Sequence, residues 1–159
     1  MSIVERIHRS KIIRYDRLLE WYPLFFFIGA RIRFSKDYRK ISLGIPLRWY
    51  LKNNNGVLFG GVMCLLSDPF PALVFEKIIP GTSAWNRTFS IDYLLPAKTR
   101  IEAKIEITEQ DIDELKHQLN EKGKAQKTFE YYFIDKHDRQ IAKVSNTIYL
   151  RKRNGEKNS

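Results

Sequence analysis

The chain has 159 residues, 43% of them hydrophobic and 13% aromatic, enough for one ordinary domain with one core and too few for several. Its 28 Lys and Arg against 18 Asp and Glu give a net charge of +10 and a pI near 9.7. That balance argues against acidic-solvating or acidic-tail functions and favours anionic partners (nucleic acid, an acidic membrane surface, a polyphosphate-bearing ligand), or else a basic face that is simply solvated.

Residues 3–21 place Ile3, Ile7, Ile12, Leu18, Leu19 and Trp21 at helical spacing with bases between them. This predicts one or two basic amphipathic helices that cover a sheet; lying on a membrane surface is the less favoured reading. Residues 22–30 stay apolar, with Pro23 suited to open a helical turn and Gly29 to stop it. Residues 31–34 and 38–47 read as strands about the polar turn 35–37, with Ile41, Leu43, Ile45 and Leu47 alternating. The run 52–56 is a loop, because Asn and Gly tolerate left-handed backbone. From Gly60 to about Glu76 the chain is almost wholly apolar and predicts a buried central helix, kinked or interrupted by Pro69 and Pro71. Strands follow over 82–94 and 99–108, a polar helix over 109–122 between a Thr108 cap and a Gly123 stop, and a hairpin of strands 127–135 and 140–152. Consecutive antiparallel strands with one long apolar helix predict an α+β fold.

The segment NNNGVLFGGVMCLLSDP, from Asn53 through Pro69, carries the chemistry. A glycine pair at a helix start, Gly60 and Gly61, lets a ligand approach N–H groups that lack intrahelical partners, where the helix dipole favours an oxyanion or phosphate. The same pair could equally allow close packing under a sheet. Asp68, two turns along an apolar helix, needs either a catalytic role or a capping one beside Pro69. Cys64 is the only cysteine, which excludes an intrachain disulfide, fits a reducing compartment, and reads as a buried thiol among Val62, Met63, Leu65 and Leu66. His8, His117 and His137 are scattered without metal-ligand spacing, no serine sits in a nucleophile elbow, and the glycines fit neither a P-loop nor a dinucleotide fingerprint. No metal, cofactor or nucleic acid is expected. Residues 1–14 are charged throughout, without the apolar core of a signal peptide, and the apolar run 23–30 is far short of the about 20 residues of a membrane-spanning helix, so a cytoplasmic protein is expected.

FGGVMCLLSDPF, together with the stretch from Trp85 to Pro96, resembles the acyl-coenzyme A thioesterase branch of the hot-dog superfamily. In that branch an Asn-containing loop precedes a His-Gly-Gly at the helix start and an acidic residue follows about two turns on. The chain looks most like a bacterial hot-dog subfamily described as a domain of unknown function, with an F-G-G-x(6)-D-P helix motif. The resemblance implies a curved antiparallel sheet wrapped around a long central helix. It divides the chain into an N-terminal helical extension (1–30), a hot-dog domain (31–152) and a disordered basic tail (153–159). It implies hydrolysis of an acyl-coenzyme A or acyl-carrier-protein thioester by a homodimer or dimer of dimers. The Gly61 N–H would be the oxyanion donor and Asp68 the general base or nucleophile. Asn53, Phe59, Gly60, Trp85 and Asn86 would contact substrate. Phe59 stands where many relatives carry His, which removes a side-chain donor and leaves a non-catalytic acyl-binding protein as the alternative.

Overall fold

The computed structural model describes residues 14–153. The helical pattern expected over 3–12, and the tail apart from Arg153, lie outside the described residues. Two short helices, α1 (Tyr15–Glu20) and α2 (Pro23–Ile28), lead into β1 (Arg31–Phe34) and β2 (Lys40–Ile45). A single 3-10 turn (Trp49–Leu51) and the Asn-rich loop precede α3 (Gly60–Ser67) and α4 (Ala72–Ile78). The chain then runs through β3 (Thr82–Tyr93), β4 (Ile101–Glu106), α5 (Glu109–Lys122), β5 (Lys124–Asp135) and β6 (Gln140–Lys152).

The strands form one sheet in the order β1-β2-β4-β5-β6-β3, antiparallel at every junction. Side chains alternate between faces along a strand, so one register sets a whole apolar face. Ile41, Leu43 and Ile45 of β2 stand opposite Ile105, Ala103 and Ile101 of β4, and all six are buried. Val144, Asn146, Ile148 and Leu150 carry that face along β6 beneath α3 and α4, whose Leu66, Val74 and Phe75 have no exposed surface. This is the hot-dog arrangement, an α+β fold with the curved sheet around the central helix. The α5 helix begins with a reciprocal capping box between Thr108 and Asp111 and ends at Gly123 in the left-handed region (φ 68°).

The two ends of the sheet differ. At the β1 edge the buried carboxylate of Glu20 accepts a hydrogen bond from the Ile32 N–H (2.9 Å) and pairs with Arg33 and Arg17. Burial alone would raise its pKa, but those donors and charges outweigh it and the pKa falls below the ordinary value. Helix α1 and its glutamate thus blunt that edge. The β3 edge has no neighbouring strand among the described residues, and no residue of β3 after Thr82 is fully buried.

The central helix is in two segments. Proline has no N–H, so Pro71 cannot supply the helical bond to the Ser67 carbonyl, and Val74, the helical donor for Phe70, bonds to the Pro71 carbonyl instead. The Ser67 carbonyl accepts from the Phe70 N–H instead (3.0 Å), and the side-chain amide of Asn146, fully buried on β6, adds a second bond to it (3.0 Å) and supplies the stranded Phe70 carbonyl through a short contact. Asn146→Ala should lower the unfolding free energy by about 1–3 kcal/mol in urea titrations, since it leaves the buried Phe70 carbonyl without a donor. A loss below about 0.5 kcal/mol would show that the break does not depend on this amide.

A second buried carboxylate organises the β5–β6 turn. Asp135 accepts from the His137 and Arg139 backbone N–H groups and from the Arg139 guanidinium at two nitrogens (3.0 and 2.6 Å). The Arg139 side chain is the chief cause of a pKa held down to about 2. The lowered pKa contributes stability that is present above the ordinary carboxylate range, near 4, and is lost as pH falls through about 2. Thermal unfolding followed from pH 5 to pH 2 should therefore show a shallower acid slope for Asp135→Asn than for the wild type. Equal slopes would remove this turn from the acid response.

Candidate active site

Helix α3 begins at Gly60 after Phe59, whose extended backbone (φ −64°, ψ 125°) occupies the capping position without a side-chain cap. The Phe59 N–H donates to the Leu51 carbonyl (2.8 Å), and Leu58 N–H to the Ala97 carbonyl (3.0 Å), which anchors the entry to the helix. Among the described residues no acceptor takes the Gly60 or Gly61 N–H, so both donors point outward at the positive end of the helix dipole. The glycines also have a packing reason. A Cβ on Gly60 would lie 2.8 Å from the Tyr93 ring, and one on Gly61 would lie 2.6 Å from Phe59 Cε1. Two of the protein's own aromatic rings make the close approach that glycine permits.

Asp68 closes the other end of α3. It is exposed, and its carboxylate makes no hydrogen bond or ion pair among the described residues. The alternative role beside Pro69, capping a following helix, is not what it does: α4 starts at Ala72 with Pro71 in the capping position. Beneath Asp68 lies a buried polar group, the hydroxyls of Ser67 and Tyr131 and the amide oxygen of Asn146, none with a hydrogen bond of good geometry. Burial pushes the Tyr131 hydroxyl well above the ordinary tyrosine pKa; the nearby Ser67 hydroxyl opposes the shift and the Asp68 charge reinforces it. The segment between the helices is therefore fixed from below while Asp68 faces outward.

At 1.5 Å per residue, Gly61 and Asp68 are about 10 Å apart along one helix. They cannot both touch one carbonyl group within one protomer.

The inner face of β3 runs alongside this helix. Through the β3–β6 register, Tyr93 lies opposite Ala142, Ile91 opposite Val144, Phe89 opposite Asn146, and Asn86 opposite Ile148. Tyr93 thus marks the start of α3, where its hydroxyl meets Cys64 Sγ at 3.2 Å, and Phe89 marks the end, where Asn146 holds the break. The Tyr93 pKa is pushed up to about 12, by burial first and then by the Cys64 contact. Cys64 is only half-buried and lies against this hydroxyl, so the expectation of an enclosed thiol among aliphatic neighbours does not hold.

The other predicted residues divide clearly. Asn86 faces inward, and neither polar atom of its amide finds a partner. Trp85 lies opposite Tyr149 on the outer face of the sheet and stacks on it (centroids 4.9 Å), away from α3. Asn53 builds its own loop: its Oδ1 accepts from the Asn55 N–H (2.9 Å) and its N–H donates to the Val57 carbonyl (2.8 Å). Phe59, more than half exposed, borders the glycine pair. Three residues of the site were not singled out from the sequence: Tyr93, Tyr131 and Asn146. Tyr93 lay within the quoted Trp85-to-Pro96 stretch, but a bulge between Asn86 and Thr88 shifts the inward set from even to odd positions. Among the described residues no group of His, Cys, Asp and Glu gathers closely enough to hold a metal ion.

Comparison with solved structures finds the same fold at low sequence identity. A Pseudomonas aeruginosa protein of unknown function, named as a probable thioesterase, superposes with a TM-score of 0.74 at 18% identity, covering 86% of this chain and 93% of the other. A thioesterase from Haemophilus influenzae gives 0.64 at 13%, covering 99% and 96%. The E. coli PaaI protein from the phenylacetic acid degradation operon gives 0.63 at 15%, covering 97% and 98%. No curated protein matches the sequence. Residues 18–150 match the family described as Domain of unknown function (DUF4442), and the chain belongs to that family.

Proposed function

We propose that this protein hydrolyses the thioester of an acyl-coenzyme A or acyl-carrier protein. The observation that carries the reading is the helix α3 itself, with two unpaired N–H donors at one end and an unpaired, outward carboxylate at the other. The thioesterase names of the structural neighbours support it. The Gly61 N–H, with Gly60, would accept the negative charge that develops on the thioester oxygen; one such donor lowers a barrier by about 3–4 kcal/mol. Asp68 would either take a proton from an attacking water or attack the carbonyl carbon itself. In the second case a mixed anhydride forms as the C–S bond breaks, and water then opens it. The thiol leaves in both cases.

Because Gly61 and Asp68 are about 10 Å apart, one site needs two protomers. The bare β3 edge supplies a way to build it. Antiparallel pairing of two β3 strands about a two-fold axis near Ile91 would set the Tyr93 end of one copy beside the Phe89 end of the other. Each carboxylate would then stand near the partner's helix start. The inward amide of Asn86 has both polar atoms unpartnered but buried, so a substrate or second copy would meet it only if β3 shifted on pairing.

A second reading has its own observation. The Phe59 and Tyr93 rings lie directly on the glycine pair, and Phe59 brings no proton donor. A protein so arranged would hold an acyl thioester without turning it over.

Hydrolysis of a panel of acyl-coenzyme A esters separates the two. Asp68→Asn should reduce kcat by at least about 100-fold with the fold intact. Equal rates would remove Asp68 from the chemistry, and inactivity of the wild type combined with thermal stabilisation by acyl ligands would favour the binding reading. The shared site has a sharper test in co-expressed Asp68→Asn and Gly61→Val chains. Each homodimer should be inactive, while the mixture recovers about a quarter of wild-type activity, because every heterodimer keeps one intact site. No recovery from folded heterodimers would place both groups in one protomer.

A further inference from the structure

Among the described residues, the most exposed large apolar side chains sit together, away from the β3 edge. Trp49 is 82% exposed, Phe27 74%, Phe26 68% and Trp21 67%. They come from the end of α1, from α2 and from the 3-10 turn, and they border one open groove of about 830 Å³. The arrangement is built, because the Tyr50 hydroxyl donates to the Phe27 carbonyl (3.0 Å) and accepts from the Arg48 guanidinium (3.0 Å), tying the turn to α2. Phe25 and Ile28 of α2 point into the core, so the remaining residues of that helix are held outward.

The charges around the groove decide what fits it. Arg31 and Arg48 line it, and neither has a carboxylate partner among the described residues. Arg17 pairs with Glu20, the only acid in the groove, and that glutamate is buried and committed to Arg33 and the Ile32 N–H as well. An isologous contact between two copies would face one set of unpaired arginines, Arg31 and Arg48, with the same set and with no free carboxylate of the groove between them, which is unfavourable. A surface that is apolar at depth and negative at its rim accommodates tryptophan, phenylalanine and free arginines together. No helix among the described residues is long and apolar enough to cross a membrane, so such contact would be superficial.

We infer that this face docks the protein on an anionic lipid bilayer, with Trp21, Phe26, Phe27 and Trp49 entering the headgroup boundary and Arg31 and Arg48 meeting lipid phosphates. The inference does not rest on the thioesterase reading, and its test does not use activity. The full-length protein is mixed with vesicles of phosphatidylcholine containing roughly one part in four of phosphatidylglycerol, and with vesicles of phosphatidylcholine alone. It should co-sediment with the first at low salt, bind the second at least about tenfold less, and be released as salt rises. In a Trp85→Phe background, tryptophan emission should shift to the blue and be quenched by brominated acyl chains. The double variant Phe26→Ser, Phe27→Ser alters only exposed side chains and should lower partitioning at least about tenfold. Arg31→Gln with Arg48→Gln should abolish the preference for the anionic lipid. Four results would overturn the inference: no sedimentation of the full chain with anionic vesicles at low salt; unchanged binding by both variants; light scattering that shows wild-type assemblies split by the phenylalanine variant, which assigns the face to a second copy; and vesicle binding that appears only after residues 1–13 are removed, which assigns the groove to that segment.

Discussion

A helix that stops inside a core leaves carbonyl groups facing apolar surroundings, and a chain can end a helix there only by bringing donors to them. In this protein Pro71 forces the stop, the Phe70 N–H turns back to the Ser67 carbonyl, and one buried amide, that of Asn146, supplies the Phe70 carbonyl. The consequences run outward from that contact. The contact sets where α3 ends, and so where Asp68 turns to solvent. It fixes α3 and α4 against β6, and through the β3–β6 register it aligns the start of α3 with Tyr93. An asparagine at a position that alternation would give to an aliphatic residue is thus explained by the backbone above it.

The candidate site is built from donors and acceptors that have no partner in the fold. The N–H groups of Gly60 and Gly61, the carboxylate of Asp68 and the amide of Asn86 lack partners among the described residues, whereas most of the other carboxylates are paired. Asp135 and Glu20 show the contrast. Each is buried and surrounded by donors, each has a lowered pKa, and each holds a turn or an edge together rather than facing outward. Carboxylates are thus divided by environment into those that hold the fold together and those, Asp68 among them, that are left unpaired at the surface.

Much of the architecture was legible in the sequence because strand alternation and helix punctuation are local. Ile41, Leu43 and Ile45, the Thr108 cap and the Gly123 stop are each decided by near neighbours and appear where local chemistry puts them. The Asn53-to-Asp68 segment was legible for the same reason: glycine pair, apolar run and lone acid are consecutive. What could not be read were relations across the sheet. The role of Asn146 depends on carbonyl groups 76 and 79 residues earlier in the chain. The outward place of Trp85 and the inward place of Tyr93 depend on a one-residue bulge that local alternation does not announce. The interruption of the central helix was foreseen from Pro69 and Pro71, but its anchoring was not.

The unequal edges of the sheet bear on a different property, the size to which the protein can assemble. A sheet with two bare edges can add copies at both ends and grow without limit, which is the geometry of a fibre. Here Glu20 occupies the Ile32 N–H of β1, and among the described residues β3 has no strand on its outer side. Were two copies to pair through β3, as the proposed shared site requires, that edge would be used up in each, and a single buried glutamate on a short N-terminal helix would stand against further growth at β1.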